Sequence, residues 1–288
     1  MKNAKLKKVI MLMVGVITGI SVLTAQEKNE NSLLWKVEGN GAKGSSYLFG
    51  TVHMLCEDDF AIGEKVITAL KESDGLMMEL DFSRPEEMAM MQQLAIGEQK
   101  ISEILSEGQL EQLDTLLLAR VGMGVAAMDQ YALMTVNSLL LAKGLGCQNI
   151  KMYETELMAI AIAESKTIGG LELVSDQVNM FNKAYTTDFL FSQLMLIDEY
   201  MDMFDELVAS YKAEEVNKLL EILTVEKFMD ENVTNIILND RNANWVNKIP
   251  SMIEKESKFI AVGAAHLGGE QGLIKLLRKK GYTVSPVL

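Results

Sequence analysis

Apolar positions recur along the chain with two periods, and the switches between them mark out its elements. Two short apolar and aromatic runs, residues 33–38 and 46–51, flank Gly39-Asn40-Gly41-Ala42-Lys43-Gly44, which predicts a β-hairpin with a glycine-rich turn. Val66, Ile67 and Leu70 predict a short helix over 63–73 that ends before Asp74-Gly75. A continuous apolar run over 76–80 predicts a buried strand, and Pro85 marks the start of the next helix. From 86 to 145 the period is helical throughout, interrupted at Val121-Gly122-Met123-Gly124 and stopped at Gly144-Leu145-Gly146. Short strands are then expected at 149–153 and 167–171. Helices are expected at 154–165, 175–184, 188–210, 213–223 and 232–256, with Pro250 as a candidate break in the last. The chain closes as strand 258–262, helix 272–280 and strand 282–287. Strands near both ends around a helical middle predict an α/β fold: a mixed sheet formed by the N- and C-terminal segments, with a large helical insertion or cap over about 86–256.

The first residues follow a different pattern. Lys2, Lys5, Lys7 and Lys8 precede an uncharged apolar run over 9–23, and after Thr24-Ala25 the chain turns polar. This predicts a secretory signal peptide over residues 1–25, leaving 26–288 as one domain. The apolar run is shorter than the roughly 20 residues of a spanning helix. An exported protein is therefore expected, periplasmic or secreted, with no membrane attachment after cleavage. Composition narrows the partners: 40 acidic against 27 basic side chains give a net charge of −13, which argues against a nucleic-acid surface. The acidic run from Asp198 to Glu215 reads as a solvated helix face. The two cysteines, Cys56 and Cys147, permit at most one disulfide; the sequence alone leaves their pairing open.

The chain has two histidines, and both end the same pattern. His53 closes Gly50-Thr51-Val52-His53 and His266 closes Gly263-Ala264-Ala265-His266, each just beyond an expected strand. Loops past strand C-termini are where open α/β sheets hold ligands. Glu79, inside the apolar run Leu76-Met77-Met78-Glu79-Leu80, is costly to bury unless paired, protonated or bound to a cation. Glu172 follows another expected strand. Two imidazoles and one or two carboxylates supply enough donors for a catalytic divalent metal with an open water position.

These motifs resemble the TraB/PrgY/GumN family, whose animal members are the Tiki proteins. The resemblance spans about 34–286. It rests on Tyr47-Leu48-Phe49-Gly50-Thr51-Val52-His53, the strand carrying Glu79, Gly170-Leu171-Glu172 with Gln177, Asp240-Arg241-Asn242, and Val262-Gly263-Ala264-Ala265-His266-Leu267. Leu173 and Ser175-Asp176 depart from the family's usual Thr and acidic residues. The resemblance implies a core related to the erythromycin esterase and ChaN-like folds and, for the Tiki branch, divalent-metal-dependent proteolysis. By position it implies a site centred on His53, His266 and Glu79, supported by Glu172, Arg241 and Asn242.

The leading expectation is thus a metal-dependent hydrolase, acting on a peptide or small molecule. His53, His266 and Glu79 would bind Zn²⁺, Mn²⁺ or Co²⁺, which this donor mixture does not separate. A second carboxylate would act as general base and Arg241 as oxyanion stabiliser. A metal-free variant uses a histidine base with a glutamate partner. The competing class is a non-enzymatic binder that sequesters a peptide or a haem through a histidine, with Met88, Met90, Met91, Met195, Met201 and Met203 as candidates for an adaptable groove or, more simply, helix packing. No Gly-x-Ser-x-Gly elbow, P-loop or dinucleotide fingerprint is present.

Overall fold

The computed structural model of the protein describes residues 31–288, so the expected signal peptide lies outside the described residues. Within them, the strands are β1 (Leu34–Glu38), β2 (Ser46–Thr51), β3 (Leu55–Cys56), β4 (Gly75–Met78), β5 (Ile150–Lys151), β6 (Thr167–Gly170), β7 (Lys258–Gly263) and β8 (Thr283–Pro286). Six of them form a mixed sheet in the order β6-β4-β7-β2-β1-β8. β1 pairs antiparallel with both β2 and β8, whereas β6, β4, β7 and β2 are mutually parallel. The hairpin is as the pattern predicts. Its turn places Gly39, Asn40 and Gly41 at φ of 81°, 48° and 87°, a left-handed path that glycine and asparagine tolerate best.

The expected mixed α/β architecture is present, and one strand of its sheet comes from the helical stretch. β6, between residues 86 and 256, forms the edge beside β4. Both faces of the parallel half are apolar: β2 and β4 are buried along their whole length, as near-continuous hydrophobic strands of α/β sheets are.

The helices are α1 (Glu64–Glu72), α2 (Pro85–Leu94), α3 (Ile101–Ile104), α4 (Glu107–Val121), α5 (Val125–Met128), α6 (Leu133–Gly144), α7 (Tyr153–Ala163), α8 (Val174–Ala184), α9 (Thr187–Met195), α10 (Ile197–Lys212), α11 (Val216–Leu223), α12 (Glu231–Thr234), α13 (Asp240–Ile253) and α14 (Leu273–Lys279). Tyr153 and Leu157 of α7, Leu207 and Tyr211 of α10, and Trp245 and Ile249 of α13 pack into the core of the sheet. Residues from α3 to α6 and α9 bury a second core of their own, built on Leu113, Leu117, Val136, Leu140 and Leu194. This second layer is the cap. The single helix expected over 188–210 is two, because the chain turns at Leu196.

The last long helix also differs in detail from its pattern. It passes through Pro250 and ends at Ile253, so the proline does not break it. The irregularity sits earlier, where Asn235–Asn239 winds as a π-helical turn between α12 and α13. Such one-residue expansions commonly accompany functional side chains. Here the turn ends two residues before Arg241.

Candidate active site

Four adjacent parallel strands end on the same side of the sheet, and the residues singled out from the sequence follow those ends. His53 follows β2, Glu79 follows β4, Glu172 follows β6 and His266 follows β7. Gly50 is small for a steric reason. A Cβ there would lie 3.0 Å from the Cα of Ala264 and 2.9 Å from a methyl of Leu267, so the first histidine motif is packed directly against the turn of the second. The Tyr211 hydroxyl donates to the Gly50 carbonyl at 2.9 Å and fixes the strand end.

Arg241 is the hub of the buried part. It lies on the stripe of α13 that continues through Trp245, Ile249 and Ile253, all fully buried, so the helical period carries it inward. All five of its N–H hydrogens are engaged. Nε donates to Glu172 at 3.1 Å, and Nη2 donates to Glu172 Oε1 at 2.6 Å and to Glu79 Oε2. Nη1 donates to the Ile237 carbonyl at 3.2 Å and to His266 Nε2 at 3.0 Å. Arg241 therefore has no free N–H for the oxyanion role expected from the sequence; in this arrangement it neutralises and orients two carboxylates. Glu172 completes its shell with the Trp245 indole N–H at 3.1 Å and the Gln177 amide at 2.8 Å. The guanidinium also lies over the Trp245 ring, 4.5 Å from its centroid.

His266 is buried, and its tautomer follows from its neighbours. Asn242 Nδ2 donates to the carbonyls of Gln271 and His266, at 2.8 and 3.3 Å, so its Oδ1 accepts from His266 Nδ1–H at 2.7 Å. Nε2 is then the lone-pair nitrogen that accepts from Arg241. Burial, reinforced by the charges of Arg241 and His53 and opposed by Glu79, pushes the imidazole down to about 3. His266 is neutral at physiological pH. Glu79 behaves in the opposite way. Burial disfavours its charge, but Arg241, both histidines and the Gly263 amide, which donates to Oε1 at 2.8 Å, outweigh that and hold the carboxyl down at about 2.

His53 stands apart from this knot, with its side chain two-thirds exposed to the mouth of a cavity. Its Nδ1 lies 3.0 Å from Glu154 Oε1, which also accepts from the Thr51 hydroxyl at 3.0 Å. Hydrogen bonding to Glu154 raises His53 to about 9, leaving Nε2 as its unpaired end. The second oxygen of Glu154 is buried and has no partner. The cavity has a volume of about 290 Å³. His53, Glu79, Arg241 and His266 line its polar end, and Met201, Phe204, Leu207 and Ile237 are among the apolar residues that line the rest. Asn242 and Glu172 lie outside the lining, where they hold His266 and Arg241 in place.

A disulfide between Cys56 and Cys147, Cα to Cα 5.9 Å, joins the segment just after His53 to the chain beyond α6. The β3–β5 ribbon, Leu55 opposite Lys151 and Cys56 opposite Ile150, ties the same two segments. The His53 loop is thereby anchored to the cap.

The metal set expected from the sequence does not fit this arrangement. Among the described residues no three His, Cys, Asp or Glu side chains converge to hold an ion. His266 has both ring nitrogens engaged, and each oxygen of Glu79 already accepts a hydrogen bond. The Arg241 guanidinium occupies the position between Glu79 and His266 that a cation would need. Glu154 and Trp245 were not foreseen as site residues. Glu154 lies in the first turn of α7 together with Glu156, where acidic residues are common because they favour the helix dipole, so nothing in the sequence separates it from its neighbour.

An α/β sheet with an ionic cluster and a histidine–glutamate pair beside its strand ends defines a protein with a partly open, chemically equipped pocket. The chain belongs to the TraB/PrgY/gumN family, whose family model matches residues 33–286. It is 22% identical to a metalloprotease, TIKI2 of Danio rerio, over 90% of this chain and 61% of that protein. It is also 23% identical to the uncharacterized protein YbaP of Shigella flexneri and 22% identical to YbaP of Escherichia coli K12. Those matches cover 81% of this chain and 88% and 87% of the relatives. The chain thus spans about three fifths of the length of the Danio rerio relative. No solved structure matches it.

Proposed function

We propose that the protein is an exported hydrolase in which His53, held by Glu154, activates water toward a carbonyl bound in the cavity beside it. The observation that carries this reading is the His53–Glu154 pair at the polar end of an otherwise apolar cavity. In its neutral form His53 takes a proton from water at Nε2, and the resulting hydroxide adds to the carbonyl carbon. The bond from that carbon to the leaving nitrogen or oxygen then breaks, and His53 returns its proton to the leaving group. Glu154 fixes the ring orientation through Nδ1–H and stabilises the imidazolium that forms, as the acidic partner does in other histidine-based sites. Arg241, Glu79, Glu172 and His266 form the rigid wall behind the reacting atoms.

Cleavage of an amide or ester bond, in a peptide or a small molecule, is supported by the likeness to a protein named a metalloprotease. Family membership likewise supports relating the core to the erythromycin esterase and ChaN-like folds. Export is supported by the leader pattern in the sequence and by the disulfide, which persists in oxidising compartments. No helix among the described residues is long and apolar enough to cross a membrane.

The test is hydrolysis of a peptide and ester panel by the mature protein before and after exhaustive chelation, with His53→Ala alongside. Activity is expected to survive chelation and to fall about 10²- to 10⁴-fold in the variant. Loss on chelation with recovery on adding Zn²⁺, Mn²⁺ or Co²⁺ would overturn the proposal in favour of a metal centre. Unchanged turnover in His53→Ala would move the chemistry elsewhere.

A further inference from the structure

The cavity beside His53 borders a second one. Leu141, Tyr200, Leu223 and Met229 line it and also line a second cavity of about 210 Å³. The second cavity is walled by Phe189, Leu190, Ile197 and Phe228, among others, and no charged residue lines it. The two thus share a wall, and every charged lining residue, His53, Glu79 and Arg241 among them, belongs to the first. The aromatic ladder Phe181–Tyr185–Phe189, stacked at 5.8 and 5.4 Å, stiffens one side. The hydroxyls of Tyr185 and Tyr200 resist ionisation because burial desolvates them, Tyr185 reaching about 12, which reports the low polarity of the far end.

The lining favours an occupant that is mainly apolar along its length and polar where it meets His53. Peptide backbone is poorly suited to the far end. Each residue brings an amide N–H and C=O, and one without a partner costs about 1–3 kcal/mol. The polar side chains there are Asn137, Tyr185, Gln193 and Tyr200, and Gln193 already gives its amide to the Lys227 carbonyl. An alkyl chain carries no such groups and gains from every methylene buried.

We propose that the two cavities form one trough that serves as an acyl-chain site: the substrate presents its scissile carbonyl to His53 and extends an unbranched fatty chain toward Phe189, Leu190 and Phe228. This deepens the proposed hydrolase reading and rests on it for the position of the carbonyl, while the chain site itself is read from binding alone.

The probes are alkan-2-ones of 5, 9 and 13 carbons, which keep the carbonyl and lack a leaving group, measured by displacement of the fluorescent polyene cis-parinaric acid. Affinity is expected to rise up to about fourfold per methylene buried. Met134→Trp, which fills the far cavity, and Leu190→Glu, which charges it, are expected to abolish the gain from 9 to 13 carbons and leave the five-carbon homologue unaffected. Thermal melts report whether each variant folds. The wild-type series stands alone if neither does. His53→Ala is expected to keep the chain-length dependence, so its loss of turnover tests the hydrolase reading separately. Comparing dodecanoate esters with N-dodecanoyl peptides then separates a lipid source of the chain from an acylated peptide. An affinity flat with chain length, or an apolar hexapeptide that outcompetes the 13-carbon ketone, would overturn the proposal.

Discussion

His53 and Glu154 are joined through Nδ1 and Oε1 at 3.0 Å, across 101 residues of sequence. The pair ties a strand-end loop to the first turn of α7 and leaves the other ring nitrogen of this cavity-lining histidine unpaired. Because Glu154 raises His53 to about 9, the imidazole is mostly protonated at neutral pH and becomes a base as the pH rises toward that value. The kcat/KM profile is therefore expected to climb with an apparent pKa near 9. In Glu154→Gln, which keeps the shape but loses the charge, the inflection is expected to move down toward the ordinary histidine value near 6.5. A pH–rate comparison of the two proteins checks this; coincident inflections would separate Glu154 from the chemistry.

Arg241 is the counter-ion for two buried carboxylates, Glu79 and Glu172. Arg241→Met keeps much of the aliphatic stem and removes the charge and donors. It is expected to cost about 3–5 kcal/mol, because charges are left buried without a partner. Urea unfolding reads this as a lower midpoint. Replacing all three members with apolar residues is expected to restore much of the loss, which separates charge stranding from lost volume.

His266 makes the fold sensitive to acid in a defined window. Its folded value of about 3 lies below its unfolded value near 6.5, so the unfolded chain binds a proton that the folded one refuses. Stability is expected to fall as pH drops from about 6.5 toward 3. Glu79, held at about 2, contributes in the same direction: its stabilisation is complete above its unfolded value near 4.5 and is lost as pH falls through 2. His266→Gln, which cannot take up the proton, is expected to flatten the slope between pH 6.5 and 4.5, as followed by thermal melts.

The Cys56–Cys147 bond closes a long loop that contains much of the cap. Cys56→Ser with Cys147→Ser is expected to cost about 2–4 kcal/mol. Activity is expected to fall as well, since the same bond anchors the loop that carries His53. Melting the oxidised and reduced wild-type protein provides the matching measurement without mutation.

Much of the arrangement could be read from the chain itself, because the relevant signals are local. The two histidines each follow an apolar strand, and the strands announce themselves by composition. Glu79 is conspicuous as a charge at the end of an apolar run. What could not be read is how these side chains engage one another. Arg241 carries no local mark beyond its position four residues before Trp245, so its commitment to Glu79, Glu172 and His266 emerges only when β4, β6 and β7 lie side by side. Glu154 is invisible for a similar reason, since its partner is brought to it by the packing of α7 on the sheet. The Leu196 turn and the π-helical turn were equally hidden, because apolar spacing survives a single change in winding.

The π-helical turn over Asn235–Asn239 has a geometric consequence for everything downstream of it. One residue of an α-helix corresponds to about 100° around its axis. Winding the same residues as regular α-helix, with none removed, would swing the guanidinium about that far from the two acids it neutralises. The same rewinding would rotate Trp245 out of the interior. The π-turn thus takes up one residue's rotation, and the whole ionic knot depends on it.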